Sequence, residues 1–285
     1  DEFHLQSAQS DLITLYRFLV GPVRDLLPDQ GRLRVIPHRF LHLVPFACLH
    51  DGDDYVDTRW IVTRSPTADH LAHHRPRRVA AAGRAARGCA PGRGTRPWSP
   101  QAVIAGMVEG GPVSVRSEMA AVAASLPAGR RRLLQDPSPE ELMTAIASAE
   151  LVHISTHGFF REDNPIFSRL SLRGGALFLA DVLNLRLRAE VVVLSACNSG
   201  QVFSGMGDDL SGVAHGFLAA GARQLVASLW RIHDEATAEW MSAFYQALTH
   251  EAGGDAGLAL NQAGRSLRRR RPHPFYWGAF SAHGV

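Results

Sequence analysis

Two nearly continuous apolar runs constrain the fold of this chain more than any other feature. Residues 151–156 read LVHIST, and residues 190–196 read EVVVLSA. Apolar runs of this length without alternation are typical of strands buried on both faces, as in a parallel sheet covered by helices on each side. The chain is therefore predicted to contain a mostly parallel sheet inside an α/β sandwich.

Helix-forming segments separate the strand candidates. DPSPEELMTAIASAE (136–150) is predicted to be a helix, because Ser138 suits the N-cap, Pro139 suits the first turn and two glutamates complement the positive helix end. Further helices are predicted at 7–26, 117–127 with Ser117 as N-cap, around LADVLNL, at 209–221, and at 234–250 with Asp234 as N-cap. Further strands are predicted at 32–38, 58–66, 222–230 and 275–284, and loops at 87–101, 161–175 and 198–207. Residues 73–116 as a whole are the least readable part of the sequence. Alternating strands and helices favour the sandwich architecture.

Composition excludes several classes of protein. The net charge is +3, and all thirty basic residues are arginine, which indicates a GC-rich, bacterial genome rather than a nucleic-acid-binding surface. No apolar run reaches the roughly 20 residues of a membrane helix, and no signal peptide pattern opens the chain. The three cysteines are few and odd in number, so they do not form a disulfide framework. Because sparse cysteines are typical of a reducing compartment, we expect a cytoplasmic protein. The chain begins at Asp1, and we expect it to be part of a longer protein.

Each apolar run ends in a residue with useful chemistry. His157 and Gly158 follow the first run, and Cys197 follows the second. Because parallel strands end at the same edge of a sheet, both side chains are predicted to lie there. A histidine can convert a thiol to the nucleophilic thiolate, and the N–H groups of Gly158 and Cys197 suit an oxyanion hole. Taken singly, Cys197 also fits a small buried apolar residue and His157 a hydrogen-bonded residue at a strand end.

The chain resembles the CHAT domain, a bacterial branch of the caspase and separase superfamily of cysteine peptidases. The resemblance covers almost the whole sequence and is carried by LRVIPHRFLHLVPFACL, LVHISTHGFF, NPIFSRLSL, LSACNSG, GFLAAGARQLVASLWRIHDEAT and HPFYWGAF. It implies a caspase-like three-layer α/β/α sandwich with His157 as general base and Cys197 as nucleophile. It also implies that Gly158 and Cys197 supply the oxyanion hole.

Substrate recognition is less determined by the sequence. In relatives, the strand that SLWR resembles pairs with the substrate backbone, so Trp230 is a candidate substrate contact and equally a candidate core residue. Arg231 would favour an acidic residue before the cleaved bond. Asp208, Asp209 and Asp234 would favour arginine, although all three also suit helix caps. An apolar residue before the cleaved bond is a third alternative. The glycine-rich segment 198–209 is hypothesised to gate the site.

Four other patterns are set aside. CNSGQVF lacks the arginine of a cysteine phosphatase, because Phe203 stands there. The histidines of HLAHHRPRR (70–78) lack partner ligands, DGDDYVD (51–57) reads as a turn, and RRRR (268–271) reads as a solvated run. No metal or cofactor is predicted.

The sequence therefore predicts a cysteine endopeptidase that cleaves a specific protein partner, in bacterial defence or programmed cell death by family resemblance. We expect residues 1–30 to form an N-terminal helix that ends a preceding module, and 31–285 to form the peptidase domain. Its large-subunit-like part would run to about 200 and its small-subunit-like part would start at about 208. A sensor or repeat domain is the expected partner, with no membrane and no nucleic acid. The alternative is an interaction module of the same fold that is catalytically silent or activated by a partner.

Overall fold

The computed structural model describes residues 2–65, 97–111, 114–159, 161, 164–196, 216–230 and 234–284. In this part of the chain, eight strands form one sheet in the order β1-β2-β11-β10-β9-β5-β3-β4. The strands are β1 (Gly31–Val35), β2 (Trp60–Arg64), β3 (Ala102–Gly106), β4 (Arg131–Gln135), β5 (Leu151–Ser155), β9 (Val191–Ser195), β10 (Gln224–Ser228) and β11 (Phe280–Gly284). All neighbours are parallel except β10 and β11.

Helices cover both faces of this sheet. They are α1 (Glu2–Leu19), α2 (Val115–Ala124), α3 (Pro139–Ile146), α4 (Leu179–Leu183), α5 (Asp234–Gln246), α6 (Ala256–Arg268) and α7 (Pro274–Trp277). A π-helical turn, Ala247–Glu251, extends α5, and residues 216–219 are helical. Single 3₁₀ turns lie at Gly21–Leu26, Arg39–Leu43, Phe46–Cys48, Val56–Thr58, Ala128–Arg130 and Pro165–Phe167.

The strand side chains divide between two apolar cores. Val191 and Val193 of β9 pack into the core formed with α1, α2, α5 and α6. Val192 and Leu194 pack into the other core, with α3, α4 and residues 216–220. Because successive strand residues point to opposite faces, a run without polar positions is required between two covered faces. The predicted α/β/α sandwich with a mostly parallel sheet is confirmed.

Local signals placed several elements correctly. The Ser138 hydroxyl accepts from the Glu141 N–H, and the Glu141 carboxylate accepts from the Ser138 N–H, so the predicted cap is a full capping box. The N-cap predicted for α2 was wrong, because the helix begins after Ser114. Ser117 lies inside the first turn and donates to the Ser114 carbonyl at 2.8 Å.

Other elements were missed. The strands β3 and β4 and the helix α6 were not predicted. The segment 161–175, predicted to be a loop, contains the middle strand and the start of the last strand of a small antiparallel sheet in the order β6-β7-β8. Its strands are β6 (Gly158–Phe159), β7 (Arg169–Leu172) and β8 (Gly175–Phe178). This small sheet follows directly on the end of β5 and so contributes to the candidate site.

The sequence predicts a solvated run for RRRR at 268–271, but three of these arginines form ion pairs. Arg268 contacts the buried carboxylate of Asp57 at 2.7 Å, and Arg270 and Arg271 each contact Glu239 at 2.9 Å. Burial raises the pKa of Asp57, and the Arg268 guanidinium opposes that rise. The pair joins the end of α6 to the turn that precedes β2.

Among the described residues, no helix has the length and apolarity to cross a membrane.

Candidate active site

The two strands that carry the predicted catalytic pair are neighbours in the sheet. β5 and β9 run parallel, and their last residues, Ser155 and Ser195, face each other in register. The Thr156 N–H donates to the Ser195 carbonyl at 3.3 Å, so the contact continues past the strand ends. His157 lies two positions after Ser155 in the sequence, and Cys197 lies two positions after Ser195. Cys197 itself lies outside the described residues.

The backbone of His157 is held by the small sheet. Its carbonyl accepts from the Ser171 N–H at 2.9 Å. The Thr156 hydroxyl donates to the Ser171 carbonyl at 2.6 Å, so both neighbouring residues are joined to β7. The His157 side chain is partly exposed, and no side chain in the described part of the chain hydrogen-bonds its ring. The described contacts therefore fix the backbone of His157.

Gly158 is buried in strand β6 and pairs with Leu170 of β7. Since Ser171 bonds to the carbonyl of His157, the preceding residue, Gly158 occupies a non-hydrogen-bonded position of the antiparallel ladder. At such positions the N–H points away from the neighbouring strand. The Gly158 N–H is thus directed away from β7 and can serve another acceptor.

Trp230 lies at the margin of the core. It follows the end of β10, and its indole Nε1 donates to the Phe275 carbonyl at 2.9 Å. Its ring stacks on the Phe275 ring with centroids 6.4 Å apart. The Leu229 N–H donates to the Ala279 carbonyl at 2.7 Å, which continues the pairing of β10 with the β11 segment. Trp230 is partly exposed, so one part packs and another is open to solvent.

The remaining predicted substrate-binding residues cannot be placed in the same way. Arg231, Asp208 and Asp209 lie outside the described residues, as does the whole segment 198–209, which is hypothesised to gate the site. Asp234 is the first residue of α5, so it lies at the helix start where the sequence places it. The histidines of 70–78 also lie outside the described residues.

Sequence reasoning missed a group of polar residues beneath the end of β5. The buried polar cluster consists of Glu118 from α2, His153 and Ser155 from β5, and Tyr245 from α5. All four are nearly or completely inaccessible to solvent, with exposures of 0–1 %. The Ser155 hydroxyl donates to Glu118 Oε2 at 2.6 Å, and His153 Nδ1 lies 3.0 Å from the Tyr245 hydroxyl. A polar residue inside an apolar strand run was the available signal, since His153 interrupts LVHIS.

The protonation states of Tyr245 and His153 determine which groups of the cluster donate hydrogen bonds and which accept them. Burial and the nearby Glu118 raise the pKa of the Tyr245 phenol well above its ordinary value, so the phenol keeps its proton and donates to His153 Nδ1. Burial lowers the pKa of His153 to about 3, so the ring is neutral at pH 7. With Nδ1 accepting, the ring proton sits on Nε2, which faces Glu118 Oε1 at 3.5 Å. Glu118 therefore accepts a hydrogen bond from Ser155, while the His153 ring lies beside its other oxygen without hydrogen-bonding it.

Comparison with known proteins agrees with this architecture. Tetratricopeptide repeat protein 28 of Mus musculus is 26% identical over 331 residues, and that of Homo sapiens is 25% identical over 334. Each match covers 97% of this chain, which spans only 13% of the length of these curated relatives.

Solved structures show the same fold at low sequence identity. The separase of the Saccharomyces cerevisiae separase–securin complex matches 86% of this chain with a TM-score of 0.53 at 15% identity, over 15% of that chain. A complex of the pro- and mature domains of RgpB from Porphyromonas gingivalis matches 98% of this chain with a TM-score of 0.52 at 11% identity, over 68% of that chain. These likenesses show a caspase-like fold.

The sequence model of the CHAT domain family matches residues 9–285, nearly the whole sequence. The resemblance seen in the sequence motifs is thereby confirmed. Together with the caspase-like sheet, in which β5 and β9 end side by side, this match establishes the relationship. The chain belongs to the CHAT domain family.

Proposed function

We propose that this protein is a cysteine endopeptidase in which Cys197 is the nucleophile and His157 the general base. The observation that carries the proposal is the register of the two strands. Ser155 faces Ser195 at the shared edge of the sheet, and each proposed catalytic residue follows its serine by two positions. Equal offsets from a register-matched pair favour a short distance between imidazole and thiol.

The proposed reaction proceeds through an acyl-enzyme. His157 takes the thiol proton of Cys197, and the thiolate attacks the carbonyl carbon of the peptide bond. The N–H groups of Gly158 and Cys197 stabilise the oxyanion, each worth about 2–4 kcal/mol. His157 then gives the proton to the leaving amine, and water hydrolyses the thioester. The direction of the Gly158 N–H, away from β7, supports its role here.

The proposed substrate is a specific protein partner, bound along the segment that follows β10. Trp230 is held by Phe275 and remains partly exposed, which suits a contact with substrate side chains. Arg231 would select an acidic residue before the cleaved bond, and Asp208, Asp209 or Asp234 would select arginine. We keep both alternatives for the experiment to separate.

The proposed setting is the bacterial cytoplasm, in defence or programmed cell death. Family resemblance and the sparse cysteines support it, and the match to proteins named for tetratricopeptide repeats supports a repeat domain as partner. The proposal needs no metal and no cofactor, because the thiol and the imidazole supply the nucleophile and the base.

The test is cleavage of a positional-scanning library of fluorogenic peptides by wild type, Cys197→Ala and His157→Ala. We expect cleavage by wild type alone, and the preferred residue decides between Arg231 and the aspartates. Iodoacetamide labelling accompanies the assay, with Cys48 as internal control, because complete burial raises the pKa of its thiol well above the ordinary value.

Two patterns of labelling separate the remaining outcomes. Fast labelling of Cys197 that depends on His157, without cleavage, would support the dyad and reject the tested peptides as substrates. Labelling of Cys197 that is slow and indifferent to His157, again without cleavage, would overturn the proposal in favour of an interaction module.

A further inference from the structure

The buried polar cluster joins three elements directly beneath the candidate site. Glu118 comes from α2, Tyr245 from α5, and the two residues between them from β5. The contacts run from Tyr245 to His153, from His153 to Glu118 and from Ser155 to Glu118, at 3.0, 3.5 and 2.6 Å. One carboxyl group thus accepts a hydrogen bond from Ser155 and lies against the ring of His153, both on the strand that leads into His157.

The packing of α2 brings Glu118 within reach of the strand end. Gly106, the last residue of β3, pairs in register with Ser155. A Cβ atom at Gly106 would lie 2.4 Å from the sulfur of Met119 and 2.6 Å from Val115 Cγ1. Only glycine leaves room for α2 to lie so close to this edge of the sheet.

Ser155 is also the last residue of β5 to be paired on both sides, with Gly106 and Ser195. Beyond it, the chain leaves the sheet and is held by Ser171 of β7 through Thr156 and His157. The cluster therefore fixes the point from which this two-residue exit begins.

We propose that the buried polar cluster positions His157 for the reaction with Cys197. The inference rests on the proposed function and deepens it. Its members are positioning residues, because none of their described contacts involves the ring of His157. Burying a carboxylate is costly, and apolar side chains would fill the same space more simply. The buried carboxyl group instead forms a hydrogen bond with one particular residue, Ser155, which lies two positions before the proposed base.

The test removes the hydroxyl that connects the cluster to the strand end. In Ser155→Ala, we expect the rate of Cys197 alkylation at pH 7 to fall about tenfold, because small misplacements of catalytic groups have large kinetic effects. The pH profile of that rate should change as well, because the displaced imidazole would no longer be in place to take the thiol proton. Ser155→Thr retains a hydroxyl and should restore most of the rate.

Ser281→Ala is the matched control. Ser281 is a buried serine of the same sheet, on β11, and its hydroxyl bonds a histidine, His283, at 2.9 Å. Its loss should lower the melting temperature by a similar amount without slowing the alkylation of Cys197. Equal slowing in both alanine variants, or none in Ser155→Ala, would overturn the proposal.

A second readout does not depend on the thiol. The NMR shifts of the His157 ring should change in Ser155→Ala and remain as in wild type in Ser281→Ala, in a Cys197→Ala background. Should wild-type Cys197 prove unreactive, the proposed peptidase activity fails, and these shifts alone decide whether the cluster positions His157. Unchanged shifts in Ser155→Ala would then reject positioning as well.

Discussion

Two regions of the molecule bury a carboxyl group, and they satisfy it in different ways. Asp57, 4% exposed, pairs with the guanidinium of Arg268 at 2.7 Å. Glu118, 1% exposed, receives a serine hydroxyl and faces the neutral ring of His153. The first is an ion pair between pieces of the scaffold, and the second is a set of hydrogen-bonding groups under the candidate site. The difference implies that damage to the first should affect stability alone, while damage to the second should affect the site.

The largest effect is expected for Arg268→Ala. It leaves the buried carboxylate of Asp57 without its cation, and it removes the guanidinium stacked over the rings of Tyr55 and Trp277 at 4.9 and 5.1 Å. We expect a loss of about 3–5 kcal/mol in the free energy of unfolding, measured in urea. The alkylation rate of Cys197 in the folded fraction should not change.

Arg270→Ala is the control from the same run of arginines. Arg270 is 67% exposed, and its pair with Glu239 should contribute less than about 1 kcal/mol. If the two variants lost the same stability, the Asp57 pair would not be the scaffold contact described here.

An intermediate effect is expected from pH. His153 has a folded pKa of about 3, below its unfolded value of about 6.5, so only the unfolded chain gains this proton as pH falls. Its contribution to stability is complete above pH 6.5 and is lost as pH falls from there towards 3. At pH 4.5 the loss should be about 3 kcal/mol. Asp57 acts in the opposite sense, because its raised pKa favours protonation of the folded state.

The measurement compares unfolding of wild type and His153→Asn in urea across this range of pH. The variant cannot take up a proton at this position, so the difference between the two proteins isolates the titration of His153. A difference that stayed constant from pH 7.5 to 4.5 would contradict the assignment of a neutral, buried ring.

The smallest of the three main effects on stability, about 2 kcal/mol, is expected for Gly106→Ala, because the new methyl group collides with Met119 and Val115 of α2. Since α2 carries Glu118, the alkylation rate of Cys197 should fall as well. Gly264→Ala in α6 is the control, because its Cβ would meet the Trp277 carbonyl oxygen at 3.5 Å, an ordinary contact. An alkylation rate in Gly106→Ala equal to wild type would separate α2 from the site.

The central strands could be predicted because their burial is written as continuous apolar sequence. Strand β4, by contrast, lies at the edge of the sheet and lacks a continuous apolar run. Three of its five residues are charged or polar, and a fourth, Leu133, is 47% exposed. β3 is a short AVIAG run that follows an arginine- and glycine-rich stretch, and its strand signal was lost there. The turn between β7 and β8 depends on Gly174, at φ +72°, in a segment that looked like a loop by composition.

The candidate site divides in the same way. His157 and Cys197 were found because each follows a strong strand signal. The buried polar cluster could not be found locally, because its contacts join residues 37 and 92 positions apart. Helix α6 was missed for a related reason. Its glycines and alanines suit close packing, as where Gly257 lies against Thr63 and Arg32, and local propensity does not register that.

Strand β11 has a consequence for the order in which the protein folds. It lies between β2 and β10, so in the described part of the chain the first two strands reach the rest of the sheet through residues 280–284. A ribosome that has synthesised β1 and β2 must complete more than 200 further residues before their partner exists. Contacts of such long sequence separation form slowly. Until then β2 presents an unpaired edge, and a nascent chain would benefit from a chaperone there.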